Sequence, residues 1–204
     1  MDAHHASPDE PIINISGDKI ALGPWQRTFL PLYLRWINDW EVTRTWLLQL
    51  APRTWEAQEE IYGRVSKGSA DTADFTIYER TSLRPIGYTV LEDIRPLART
   101  ATFHVLIGEK ACWGKGYGTE TTTLMLDYGF TLLGLHNIHL TVDSFNERAI
   151  RAYTLAGFRP YGRRREARRL GLHVGDIIYM ECLASEFQSP VLHRLLPMGS
   201  NNSA

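Results

Sequence analysis

Three glycines fall within five positions in the stretch GEKACWGKGYGTE, at Gly114, Gly116 and Gly118, with Lys115 between the first two and no acidic residue from Trp113 until Glu120. A helical pattern follows. A glycine-rich turn feeding a helix leaves several main-chain N–H groups unsatisfied at the positive end of the helix dipole, a ready cradle for phosphate oxygens. Side chains at the three glycines would hold such oxygens off the backbone, and Lys115 adds charge at the rim. The same glycines would also serve a tight strand-to-helix turn with no ligand, and spacing alone leaves both readings open.

The two common nucleotide signatures fit poorly. A P-loop needs Gly-x-x-x-x-Gly-Lys-Ser/Thr, whereas Lys115 is followed by Gly116. The dinucleotide fingerprint needs a regular βαβ setting, and the strand before this turn sits in a meander.

The elements that must position the turn are legible from periodicity. Residues 1–10 read as a flexible leader, and IINISGDKIALGPW as a first strand or hairpin around Gly17-Asp18. Leu30, Leu34, Ile37, Val42 and Trp46 recur at helical spacing with a break near Asn38-Asp39, which predicts two short helices. Thr54 is a cap for a helix starting at about Trp55. ADFTIYER, RPIGYTVLEDI and RTATFHVLIGEK form β-branched and aromatic runs separated by turn signals, an antiparallel meander. A helix over about Thr119 to Leu133 follows, stopped at Gly134. Then come the strand NIHLTVD, the helix NERAIRAYTLAG between Asn146 as cap and Gly157 as stop, and two strands, FRPYGRRREARRLG and HVGDIIYMECL, with a basic connection. Residues 184–204 read as a C-terminal extension. The sum is an α+β single domain.

Composition bounds the function classes. The chain has 204 residues, 44% hydrophobic and 22% charged, with a formal net charge of −1. No global field draws it to nucleic acid or an anionic membrane, so an anion site has to be local. Two cysteines, Cys112 and Cys182, without metal-ligand spacing, argue against a zinc site or a disulfide framework. No membrane span or secretory signal is read, and a cytoplasmic location is expected. His4 and His5 read as part of a polar tail. The run Arg163 to Arg169 reads as a solvated strand face with a few ion pairs, and nucleic acid is not expected as a partner.

The series IGEKACWGKGYGTE, LDYGF, IHLTVDSFNERAIRAYTLAGF and IIYMECL resembles the GNAT N-acetyltransferase superfamily, in particular its ribosomal-protein-alanine and spermidine acetyltransferase-like branch. The match is close over residues 103–158 and extends from about Ile12 to Leu183. The resemblance implies a domain over residues 11–183: a mixed, mostly antiparallel sheet flanked by helices, with splayed fourth and fifth strands. It implies acetyl-CoA, or another acyl-CoA, as co-substrate with no metal, its diphosphate on Trp113, Gly114, Lys115, Gly116, Tyr117, Gly118 and Thr119. Its pantetheine would pair with the strand FHVLIGEK, a main-chain N–H near Leu106 or Ile107 polarising the thioester carbonyl. One position departs from the superfamily's pattern: the loop begins with Trp113 where Arg or Gln is usual.

The resemblance also implies Tyr153 as proton donor to the leaving thiolate and Asn146 as a cofactor contact. A phenol with an ordinary pKa of about 10 suits the donor role, although a tyrosine packed against Phe158 would serve the core equally. Thr141 stands where some relatives carry a glutamate base. Glu92, Asp93 and His104 remain as candidate bases, with Glu92 preferred. Trp36, Trp40 and Trp46 lie in the segment that walls the acceptor site in such enzymes, and core packing is the alternative use. The expected reaction is direct attack of a primary amine of a small molecule on acetyl-CoA in a ternary complex. A protein N-terminal acetyltransferase, or a non-catalytic acyl-CoA-binding module, is the alternative, and a homodimer is left open.

Overall fold

The computed structural model describes residues 10–45 and 51–195. Eight strands form one sheet in the order β1-β2-β3-β4-β5-β6-β8-β7. In chain order they are β1 (Ile15–Ser16), β2 (Ile20–Gly23), β3 (Ala73–Glu79), β4 (Pro85–Arg95), β5 (Thr100–Ile107), β6 (Asn137–Asp143), β7 (Arg159–Leu170) and β8 (His173–Leu183). Every pairing is antiparallel except β5 with β6. The two-residue β1 adds one to the count, so the strand expected as the fourth is β5 here.

The parallel pair makes the site. β5 and β6 pair only at Thr100↔Asn137, Ala101↔Ile138 and Thr102↔His139, yet β5 continues to Ile107 and β6 to Asp143. Beyond Thr102 and His139 the strands diverge, and each keeps its outer neighbour, β4 on one side and β8 on the other. The splayed pair expected from the resemblance is therefore present, and it opens a V in the sheet centre.

Helices close both faces. Helix α1 (Leu30–Asn38) has Pro31 in its first turn and buries Leu30, Tyr33, Trp36 and Ile37, one stripe at helical spacing. Asp39 ends it and caps α2 (Trp40–Thr43) by accepting from the Glu41 N–H at 2.9 Å. Thr54 caps α3 (Trp55–Val65) through the Ala57 N–H at 3.3 Å. Helix α4 (Tyr117–Asp127) passes into a π turn, Tyr128–Leu132, and Gly134 at φ 64° stops it. Its threonine-rich sequence is accommodated by hydroxyls bonding back up the helix: Thr122 to the Gly118 carbonyl at 2.7 Å and Thr123 to that of Thr119 at 3.1 Å. Helix α5 (Glu147–Ala156) is capped by Asn146 and ended by Gly157 at φ 116°.

Alternation along β5 divides the core. Ala101 and Phe103 pack with Leu124, Met125 and Phe158 on the face covered by α4 and α5, while Leu106 packs with Tyr33, Trp36 and Tyr88 under α1. Trp36 is 1% exposed and its indole N–H reaches Glu109 Oε1 at 2.9 Å, so it belongs to the core; Trp40 is 61% exposed. Trp46 lies outside the described residues. The basic run falls inside β7 rather than in a connection, because Gly171 at φ 60° makes the turn. Two of its arginines are paired, Arg163 with Asp176 at 2.7 Å and Arg168 with the buried Asp143 at 2.6 Å.

Candidate active site

The V between β5 and β6 holds a cavity of about 610 Å³. One end is the glycine turn. Gly114 at φ 76° and Gly116 at φ 85° occupy the left-handed region, which a side chain disfavours, whereas Gly118 lies within the first turn of α4, where a Cβ would only touch Ile107 Cγ1 at 4.0 Å. The first two glycines are therefore required by the path of the chain, and the third only by what approaches it. Gly116 caps α4 without a side chain, and the first helix-type bond runs from the Glu120 N–H to the Gly116 carbonyl at 3.1 Å. Among the described residues no main-chain or side-chain acceptor meets the N–H groups of Gly114 through Thr119, which is the donor array a diphosphate requires.

Glu120 does not oppose an anion at this turn. Its carboxylate accepts the main-chain N–H groups of Asp18 and Lys19, locking the β1–β2 turn against α4. A Cβ at position 17 would stand 2.1 Å from Glu120 Oε1, so a side chain there would displace the carboxylate from this lock. The lock delivers a second cation: Lys19 Nζ lies 3.5 Å from the Lys115 carbonyl and 3.2 Å from where a Cβ on Gly116 would stand. Lys115 itself is outside the lining of the cavity, which includes Trp113, Gly114, Gly116, Tyr117, Gly118 and Thr119. The Tyr117 hydroxyl is turned away, donating to Glu79 at 2.8 Å. Trp113 spends its indole N–H on the Ile107 carbonyl at 2.8 Å.

One wall is the free edge of β5. The Gly108 N–H donates to the Ile86 carbonyl of β4 at 2.9 Å, so by alternation the main-chain groups of Leu106 also point to β4. Those of Phe103, Val105 and Ile107 point into the V. Leu106 also lines the cavity, but its main-chain N–H is turned to β4; Val105 and Ile107 present theirs. Of the two positions expected, Leu106 or Ile107, the pairing with β4 leaves the main-chain groups of Ile107 free and turns those of Leu106 away.

The other wall is α5. Asn146 Oδ1 accepts the Ala149 N–H at 3.2 Å while its Nδ2 donates to Thr45 Oγ1 at 3.1 Å, joining α5 to the end of the α2 segment. Asn146 and Tyr153, two turns apart, both line the cavity. The Tyr153 ring meets Phe103 edge-on at 6.2 Å between centroids and Phe158 at 6.0 Å. Half-buried among these apolar rings, its phenol is pushed up to about 12 by desolvation. It stays protonated across the neutral range.

Glu92 stands differently from its expected place. Its Oε1 lies 2.6 Å from His104 Nε2, and His104, not Glu92, lines the cavity. The hydrogen bond from His104 holds the Glu92 carboxyl below the usual carboxylate range. Glu92 is behind the histidine, because Val90 is the residue directly opposite His104 and Glu92 reaches it diagonally on the same sheet face. Asp93, at φ 51°, is outside the lining. Farther along that face, Asp74 sits level with Val90 and so in one row with His104; burial, with the Glu92 charge nearby, raises its carboxyl above the usual range.

Comparison with known proteins agrees with this architecture. The profile of the Acetyltransferase (GNAT) domain matches residues 19–159. The chain is similar to spermidine N(1)-acetyltransferase of Escherichia coli K12, 30% identical over 143 residues, covering 70% of this chain and 74% of that protein. It is also similar to human alpha/beta-tubulin-N-acetyltransferase 9, 30% identical over 153 residues, covering 67% of this chain and 70% of that protein. Among solved structures, spermidine N-acetyltransferase from Vibrio cholerae in complex with CoA and spermine superposes with a TM-score of 0.75 at 25% identity, covering 82% of this chain and 97% of the other.

Proposed function

The chain belongs to the GNAT acetyltransferase family, and from that premise we propose that its acceptor is a polyamine, acetylated at the base of the V between β5 and β6. The protein is an acetyl-CoA-dependent N-acetyltransferase acting on a small-molecule amine. The relatives named for spermidine supply the acceptor class for this proposal. The single observation supporting it on this chain is the row Asp74, Val90, His104 on one sheet face. Asp74 stands two strands from His104, about 10 Å at ordinary strand spacing. That separation suits an extended diamine, with its reacting nitrogen at His104 and a distal ammonium at Asp74.

The steps follow from the residues around the cleft. N–H groups of Gly114 through Thr119 bind the diphosphate, and the β5 edge at Val105 and Ile107 aligns the pantetheine and polarises the thioester carbonyl. His104, oriented by Glu92, takes the proton of the attacking amine, so Glu92 acts through the histidine rather than on the substrate. The amine nitrogen bonds to the carbonyl carbon, the C–S bond breaks, and Tyr153 gives its proton to the departing thiolate. Asn146 caps α5 and thereby sets the angle at which Tyr153 enters the cleft.

The acyltransferase domain is proposed to span residues 11–183, followed by a C-terminal extension. The described part of that extension docks on the domain: the buried Asp127 accepts from the Val191 and Leu192 N–H groups, each at 2.9 Å. A cytoplasmic location and a homodimer complete the proposal, the latter to be checked by sedimentation velocity. Incubating the protein with acetyl-CoA and spermidine, spermine, a monoamine of matched length or an acetylatable N-terminal peptide, while following thiol release, tests the function. Turnover of the polyamines with a KM at least tenfold below that of the monoamine is expected. Peptide turnover without polyamine turnover would overturn the proposal.

A further inference from the structure

The loop that begins with Trp113 lacks a cationic side chain at its first position, and the Trp113 indole N–H is already spent on the Ile107 carbonyl. The ring face is occupied from the opposite wall. Arg148, in the first turn of α5, lays its guanidinium over that ring, with Cζ 4.1 Å from the centroid. Arg148 and Trp113 both line the cavity, so the contact spans the mouth of the V from one wall to the other. Beside it, the Asn146 to Thr45 bond makes a second tie across the same mouth.

The charges at this point are unbalanced. Among the described residues, neither Arg148 nor Arg44 makes an ion pair with a carboxylate. Partial burial and then repulsion from Arg44 lower the Arg148 pKa, which marks two guanidinium groups within each other's field. Some arginines elsewhere are matched by a carboxylate, as Arg27 is by Glu59, Arg35 by Glu109 and Arg159 by Glu186; what sets Arg148 apart is its seat on a ring at the mouth of the cavity. A cation held over the ring of Trp113, next to Gly114 and within the field of a second cation, is arranged to receive an anion.

We propose that Arg148, seated on Trp113, is a diphosphate-binding residue for the acyl-CoA, supplying from α5 the side-chain charge that the loop itself lacks at position 113. The inference rests on the acetyl-CoA reading of the cleft and adds a residue to it. Arg148 then serves two states. In the free protein it ties the two walls over Trp113; with the coenzyme bound it keeps the stacked position and directs its N–H groups at the diphosphate oxygens, a planar fork that lysine cannot reproduce. The dense arginine run of β7, which composition alone would favour for such a task, is partly consumed by Asp176 and Asp143.

Isothermal titration of CoA, dephospho-CoA and pantetheine into wild type, Arg148→Ala, Arg148→Lys and Trp113→Leu tests the proposal. Arg148→Ala is expected to raise the Kd of CoA and of dephospho-CoA equally, by about 10-fold or more, the ordinary size of a lost charge-assisted hydrogen bond. Pantetheine, which lacks the diphosphate, should bind all four proteins alike. Arg148→Lys should recover only part of the loss, and Trp113→Leu should reproduce it. In turnover, KM for acetyl-CoA should rise with kcat unchanged. Equal CoA affinity in wild type and Arg148→Ala would overturn the proposal, as would a loss confined to CoA with dephospho-CoA unaffected, which would assign Arg148 to the 3′-phosphate. A wild type that failed to bind CoA at all would instead refute the acetyl-CoA reading beneath it.

Discussion

The two ends of the cleft are built from different materials. At the coenzyme end the working groups are main-chain N–H donors, held by left-handed glycines at 114 and 116 and by the Glu120 lock on the β1–β2 turn. At the acceptor end they are side chains from separate strands, His104 on β5, Glu92 on β4 and Asp74 on β3, aligned only by register. Main-chain donors recognise a group common to every acyl-CoA and are insensitive to side-chain identity except where bulk intrudes. Side chains on a sheet face can be exchanged without disturbing the backbone, so acceptor choice can change while the coenzyme site stays fixed. Tyr153 and Asn146 sit between the two, on the helix that touches both.

The contrast predicts which changes affect turnover and which affect binding. Tyr153→Phe removes the only proton donor proposed at the junction and should lower kcat by about 100-fold or more, while CoA affinity by titration stays within twofold of wild type. Gly116→Val acts at the coenzyme end: it forces a β-branched residue to φ 85° and sets its Cβ 3.2 Å from Lys19 Nζ, where the neighbour has to yield. CoA affinity should fall by at least tenfold, with a stability loss of about 1–3 kcal/mol in urea unfolding.

At the acceptor end, Glu92→Gln should lower kcat by about tenfold with CoA binding untouched, since it disturbs the histidine and not the coenzyme. The Glu92 carboxyl is held below its usual range, so its charge is present throughout pH 6–9 and the variant should be slower than wild type over that whole window. Asp74→Asn should raise KM for a diamine about fivefold and leave that for a monoamine alone, the smallest effect and the one that most sharply separates acceptor recognition from chemistry. Tyr153 adds a pH test. An ordinary phenol would lose half its protons at about pH 10, whereas one pushed up to about 12 remains a donor. The wild-type kcat should therefore show no descending limb from this group up to pH 10.

The coenzyme end was far more legible in the sequence than the acceptor end, and the reason is physical. A left-handed turn at a helix start leaves few choices but glycine, so Gly114 and Gly116 announce it locally. Caps such as Asn146 and Thr54 are equally local. What could not be read are contacts made across the sheet. Lys19 reaches the loop from 96 residues away through the Glu120 lock, and nothing near position 19 signals it. Sequence does not separate Leu106 from Ile107, because alternation fixes only parity, and parity is assigned to a wall by the Gly108 to Ile86 bond. Glu92 and His104 are both candidate bases from their strands alone; that the two stand 2.6 Å apart depends on the β4–β5 register, which no local signal gives. Trp36 illustrates the converse, an aromatic in the right segment that burial under α1 assigns to packing.

The central claim is spatial: the N–H groups from Gly114 to Thr119 and the β5 edge together hold the coenzyme so that its sulfur meets the Tyr153 hydroxyl. A crystal structure of the protein with CoA tests it most directly. The account predicts the diphosphate on that turn and the sulfur within about 3.5–4 Å of the Tyr153 oxygen, ordinary reach for a hydrogen bond to sulfur. A diphosphate bound away from the turn, or a sulfur left beyond one bridging water from that oxygen, would contradict it.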